Sequence, residues 1–165
     1  MQMAIVIREA RSASEVAATR QLMRDYGDYL AHNPSGAESI CLTNYEQELE
    51  RLPQGYAVIL LASVDGQPAG CVALRTLDRQ PPACEMKRLW VGDRFRGLGL
   101  GRRLIEDAIT RASEHGFASM YLDTVPTAMP EAVRLYISLG FVPVERYNDN
   151  PVDGLAFFAK DLTNV

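Results

Sequence analysis

Arg96-Gly97-Leu98-Gly99-Leu100-Gly101-Arg102 sets three glycines at alternate positions between two runs of opposite periodicity. Upstream, Cys84 to Val91 reads as a strand, and its end, Leu89-Trp90-Val91, is apolar without alternation, as in a strand buried on both sides or bulged. Downstream, Leu100, Leu104, Ile105, Ala108, Ile109 and Ala112 keep to one helical stripe from Leu100 to His115, with Gly116 as its stop. A glycine turn between strand and helix lets several main-chain N–H groups converge on one acceptor at the positive end of the helix dipole. From Lys87 to Arg103 there are six basic residues (Lys87, Arg88, Arg94, Arg96, Arg102, Arg103) and one acid, Asp93, a local +5 in a chain whose net charge is −4. The segment is suited to an anion, and a phosphate cradle is the expectation. The bland alternative is a ligand-free glycine turn beside a solvated basic face.

Two familiar phosphate loops fit the spelling poorly. A Walker loop needs Gly-Lys-Ser/Thr, whereas Arg102 and Arg103 follow the last glycine. A dinucleotide fold wants GxGxxG, and Asp123 even mimics its ribose-binding acid, but Arg102 stands at the third glycine position and an antiparallel meander precedes the loop.

Further out, Met3 to Ile7 reads as a strand, and Ser12 with Glu15 forms a capping box that opens a helix through Leu30. Thr43 with Glu46 predicts a second, shorter helix ending before Pro53. Tyr56 to Val64 and Cys71 to Thr76 flank Asp65-Gly66, a hairpin dipeptide. After the loop come a buried strand at Ser119 to Leu122, a helix at Pro130 to Leu139 stopped by Gly140, and strands at Phe141 to Val144 and Leu155 to Ala159. The fold class is mixed α/β (α+β), a largely antiparallel sheet with flanking helices.

With 165 residues, 47% apolar and 23% charged, the chain is expected to form one globular domain over 1–165. Its longest apolar run, Tyr56 to Ala62, is far below the roughly 20 residues of a membrane-spanning helix, and no basic-then-apolar leader follows Met1. No membrane partner and a cytoplasmic location are the expectations. Cys41, Cys71 and Cys84 lack any CxxC pairing, so small buried hydrophobes are expected, with neither disulfides nor a metal site. The acidic balance outside the loop argues against nucleic acid.

Beyond these patterns, Arg96 to Gly101 resembles the Q/R-x-x-G-x-G/A acetyl-CoA signature of the GNAT N-acetyltransferase superfamily. Lys87-Arg88-Leu89-Trp90-Val91 is similar to its fourth strand, and Ala132-Val133-Arg134-Leu135-Tyr136-Ile137-Ser138-Leu139-Gly140-Phe141 to its A-x-x-L-Y-x-x-x-G-F helix. The likeness covers nearly the whole chain. One position departs from it: Met129 stands seven residues before the tyrosine, where members often carry an asparagine that contacts pantetheine.

The resemblance implies a splayed fourth strand and direct acetyl transfer from acetyl-CoA to an amine of a small molecule or peptide. It implies that main-chain groups at Leu89, Trp90 and Val91 hold pantetheine and polarise the thioester. Arg96, Gly97, Leu98, Gly99, Leu100, Gly101 and Arg102 would receive the pyrophosphate. Tyr136 falls on the general acid, and Glu85 on a strand position that carries the base in several relatives. Glu85 reads equally well as an ion-pair partner of Lys87. Tyr26, Tyr29, Tyr147 and Asn148 occupy regions that line the acceptor cleft in relatives. Many members dimerise, so a homodimer is compatible with the likeness. A non-catalytic acyl-CoA sensor and a dinucleotide-binding protein are the competing readings.

Overall fold

The computed structural model describes residues 3–32 and 44–164. Cys41 and Thr43 lie outside the described residues. The elements in chain order are β1 (Ile5–Glu9), α1 (Ala13–His32), α2 (Tyr45–Glu50), β2 (Val58–Val64), β3 (Gln67–Leu77), β4 (Ala83–Val91), a 3-10 turn (Asp93–Phe95), α3 (Leu100–Glu114), β5 (Ser119–Thr124), α4 (Pro130–Ser138), β6 (Val142–Val144) and β7 (Ala156–Asp161). The strands form one sheet in the order β1-β2-β3-β4-β5-β7-β6. Among the described residues only β4 and β5 run parallel, so a doubly wound dinucleotide fold is excluded.

Local chemistry sets the boundaries. At the start of α1 the Glu15 amide donates to Ser12 Oγ at 3.2 Å and the Ser12 amide donates back to Glu15 Oε1 at 3.0 Å, a complete capping box. Asp65 and Gly66 both take positive φ, 50° and 81°, and close the β2–β3 hairpin. The central strands are apolar throughout because both faces are covered. Val58, Leu60, Val72 and Leu74 pack with Leu104, Ile105 and Ala108 of α3 and with Tyr136 of α4. Ile59, Leu61, Cys71, Ala73 and Trp90 face Leu22, Met23 and Leu30 of α1 and Leu49 of α2. At Gly70 there is no room for a side chain, since a Cβ there would lie 2.9 Å from the Trp90 carbonyl oxygen of β4 and 3.1 Å from Leu104 Cδ1 of α3.

The feature that makes the site is the parting of β4 from β5. They pair only at Ala83, Cys84 and Glu85, opposite Ser119, Met120 and Tyr121. On its other side β4 continues along β3, but Cys71 faces Trp90 while Ala73 faces Lys87, so Val72 stands opposite two residues, Arg88 and Leu89. This bulge places Arg88 at φ 61°, a left-handed conformation that costs a side-chain-bearing residue about 1–3 kcal/mol unless its surroundings hold it.

They do. Arg88 Nε and NH2 donate to Glu48 Oε2 and Oε1 of α2 at 3.1 and 3.0 Å, and the guanidinium lies 4.9 Å from the Tyr45 ring centroid. The Tyr56 hydroxyl donates to the same Glu48 carboxylate at 2.8 Å. Burial works against the Glu48 charge, yet the Arg88 fork outweighs it and holds that carboxyl below its usual range. Removing the fork by Glu48→Ala strands a buried guanidinium at a strained residue. It is expected to cost about 3 kcal/mol of stability, read as a lower urea midpoint at unchanged m-value, and to reduce turnover more than a surface Glu→Ala control.

Candidate active site

Where β4 and β5 diverge, two cavities open and share Leu89 and Met129 on their walls. The first, about 700 Å³, runs along Leu89, Trp90 and Val91, past Arg96, Gly97, Gly99, Leu100, Gly101 and Arg102, to the start of α4. Gly97 and Gly99 have φ of 82° and 75°, and a Cβ at either would meet no protein atom within 4 Å. They are required for the turn's conformation and not for close packing. Gly101 has no such φ; it lies within α3, where a Cβ would come 3.5 Å from Leu135 Cδ2. The amides of Leu100, Gly101 and Arg102 open α3 and have no carbonyl one turn back to receive them, and Gly99 brings no side chain to cap them.

These unclaimed donors, with Arg96 and Arg102 on the same wall, fit a diphosphate. Arg96 also pairs with Asp93 at 3.3 Å and lies 5.0 Å from the Trp90 ring centroid; Arg102 donates to Ser138 Oγ at 3.0 Å. Leu98 does not line the cavity and instead packs against the small core of Val64, Ala69 and Leu100. Tyr29, expected on the acceptor side, lines this first cavity and sits 5.2 Å from Trp90, centroid to centroid.

The second cavity, about 370 Å³, is bounded by Tyr26, Lys87, Arg88, Asp123, Tyr136, Asn148 and Asn150, among others. Tyr136, on α4, is buried and packs edge-on against Phe141 at 5.9 Å. Burial raises its phenol above the ordinary tyrosine range, with Tyr26 and Asp123 adding to the push. Met129, in place of the asparagine that the motif favours, precedes α4 without capping it and contributes to both cavities.

Glu85 is 1% exposed and is not on the cavity wall. Its Oε1 lies 2.8 Å from Arg75 NH2 and 3.7 Å from Lys87 Nζ; its Oε2 accepts the Tyr147 hydroxyl and, at 3.2 Å, Asn148 Nδ2. Glu85 thus makes the ion pair with Lys87 that its sequence position offered, and a shorter one with Arg75. Burial would raise its pKa, but Lys87, Tyr147 and Arg75 together hold it below the usual carboxylate range. Tyr147 faces a separate depression with Arg79 and Tyr121 and reaches the site only through Glu85. Asn148 joins the halves of the network, donating also to Asp123 Oδ2 at 2.7 Å, where Asn150 donates at 3.2 Å.

Asp123, Arg75 and Lys87 also line the second cavity, and none of the three is among the acceptor-cleft residues expected from the sequence. The placement of Asp123 on the strand that leaves β4 was the available signal. Cys71 and Cys84 are buried, and burial pushes both thiols up to about 12, as small core residues rather than nucleophiles. Among the described residues no cluster of His, Cys, Asp and Glu could hold a metal ion, and no helix is long and apolar enough to cross a membrane.

A family model described as acetyltransferase (GNAT) family matches residues 19–141, well over half of the chain. The chain belongs to the GNAT acetyltransferase family. It is 38% identical over 109 residues to an uncharacterised N-acetyltransferase of Schizosaccharomyces pombe, a match covering 66% of each chain. To one of Dictyostelium discoideum it is 42% identical over 77 residues, 47% of this chain and 35% of that one. The matches thus span less than two-thirds of these relatives' length.

Solved structures share the GNAT fold. A GNAT-family acetyltransferase of Staphylococcus aureus superposes with a TM-score of 0.77 at 21% identity, covering 97% of this chain and 100% of the other. A GNAT-family N-acetyltransferase of Escherichia coli, solved in complex with CoA, gives 0.66 at 22% identity, covering 99% and 84%.

Because the folded pKa of Glu85 lies below that of an unfolded glutamate, its contribution to stability is complete above about pH 5 and is lost as pH falls through the folded value. Glu85→Ala leaves two cations without their shared anion and is expected to cost about 3 kcal/mol at pH 7. The gap to the unsubstituted protein should narrow as denaturation curves are repeated toward pH 3.

Proposed function

We propose that this chain is an acetyl-CoA-dependent N-acetyltransferase that passes the acetyl group directly to an amine of a small molecule or peptide. The observation that carries this reading is the meeting of the two cavities at Leu89 and Met129, with a diphosphate-sized set of unclaimed amides in one and Tyr136 with Asp123 in the other. When bound, acetyl-CoA supplies an acetyl group activated as a thioester, so that a C–S bond is exchanged for a C–N bond.

The chain's own part is alignment and proton handling. Gly97 to Arg102 hold the diphosphate. The main chain from Leu89 to Val91, released from β5, offers donors to pantetheine and to the carbonyl oxygen; a preorganised donor at a developing oxyanion contributes about 3 to 4 kcal/mol. Tyr136, its phenol kept protonated by burial, holds the proton that a departing thiolate takes. The base role passes in this proposal from Glu85 to Asp123, whose carboxylate lines the acceptor cavity and accepts the ammonium proton. Glu85 positions Arg75, Lys87, Tyr147 and Asn148 around it.

Tyr136→Phe is expected to lower kcat by about 10² or more while the Kd for acetyl-CoA, measured by calorimetry, stays within twofold. An unchanged kcat would remove Tyr136 from the chemistry. Asp123→Asn is expected to lower kcat/KM for the amine at neutral pH and to recover part of it as pH rises, because free amine then forms without the carboxylate. A panel of amines followed by thiol release tests the function itself. Tight acetyl-CoA binding with no turnover of any amine would favour the sensor reading.

A further inference from the structure

The acceptor cavity is lined by charges of both signs, and their pairing is uneven. Arg75 and Lys87 share one oxygen of one carboxylate, Glu85 Oε1. Arg88, the third cation on this wall, has its own partner in Glu48. Asp123 receives two amide donors and, among the described residues, makes no ion pair. Asp149 adds an exposed carboxylate at the same cavity. Amides solvate a carboxylate without neutralising it, and a charge withdrawn from water is costly until it is paired.

The cavity therefore presents a carboxylate held by amides without a direct ion pair, and two cations that divide one carboxylate oxygen between them. Burial presses the Lys87 ammonium below its ordinary range despite Glu85 and Asp123 nearby, as expected of a cation short of negative partners. A simple amine would answer Asp123 alone. A diamine would bring a second ammonium into a cavity that already holds Arg75 and Lys87, with only the exposed Asp149 to answer it, a like-charge environment that selects against it. The volume, about 370 Å³, accommodates a metabolite-sized molecule.

We propose that the acceptor is a small zwitterion of the free amino acid class, its ammonium drawn to Asp123 and its carboxylate to Lys87 and Arg75. This rests on the amine acetyltransferase reading above and adds the second anchoring group. Atoms balance: the ammonium passes one proton to Asp123, the amine nitrogen bonds the acetyl carbon as the C–S bond breaks, CoA leaves as the thiol with the Tyr136 proton, the second nitrogen proton restores Tyr136, and the acceptor's carboxylate is unchanged.

The test compares matched acceptors on the full chain loaded with CoA: each of the twenty amino acids against the amine left when its α-carboxylate is removed. Calorimetry gives binding, and thiol release with acetyl-CoA gives kcat/KM. At least one amino acid should bind, and be acetylated, tenfold or more better than its decarboxylated partner. Lys87→Met should bring that ratio to within twofold of one, and Lys87→Arg should preserve it. Amines that bind as well as their amino acids, or a failure of every amino acid to bind, would overturn the proposal, and the unsubstituted protein alone decides this should Lys87→Met not fold. Amino acids that bind selectively but are never acetylated would support the zwitterion site and count against the transferase reading instead.

Discussion

A β-strand's main-chain groups must find partners, and β4 gives up those of one edge after only three residues of pairing with β5. That forfeit is the constraint from which the site follows. A strand edge exposed inside a sheet is costly unless a ligand or water answers it, and the opening is kept by a bulge whose central residue, Arg88, has a backbone conformation that few arginines adopt. The bidentate fork to Glu48 crosses from the sheet to α2 and fixes that conformation. Helix α2 thus holds the backbone of β4 through one guanidinium.

The acceptor half has a different logic. Its carboxylates and cations are joined through amides: Asn148 donates to Glu85 and Asp123 together, and Asn150 to Asp123. Such a network sets positions while leaving formal charges incompletely cancelled. Glu85 is the buried anchor of this arrangement, with four donors or cations around one carboxylate.

Much of this was written in short-range sequence. The capping box at Ser12 and Glu15, the Asp65-Gly66 turn, the stripe along α3 and the glycine spacing each depend on neighbours within a few residues, and each appears where its pattern placed it. The non-alternating Leu89-Trp90-Val91 left open a strand end buried on both sides or a bulge, and the bulge lies at Arg88 and Leu89. What could not be read joins distant segments: Glu48 with Arg88, forty residues on, or Asn148 with Glu85 and Asp123. Periodicity assigns a residue to a face, not to a neighbour on it, so it does not tell that Tyr29 lines the glycine-loop cavity or that Tyr147 donates to Glu85. Gly101 looked equivalent to Gly97 and Gly99 in spacing; only the backbone angles separate their duties.

The two cavities also differ in how the chain supplies them. Most of the first comes from one nearly continuous stretch, Leu89 to Arg102, whereas the second is assembled from α1, β3, β4, β5, α4 and the 148–151 loop, among others. One cavity is thus carried by a single segment, while the other has several independent contributors. On the proposed function, exchanging the 148–151 loop alone would change the acceptor wall and leave the carrier's berth untouched, a division of labour within one scaffold.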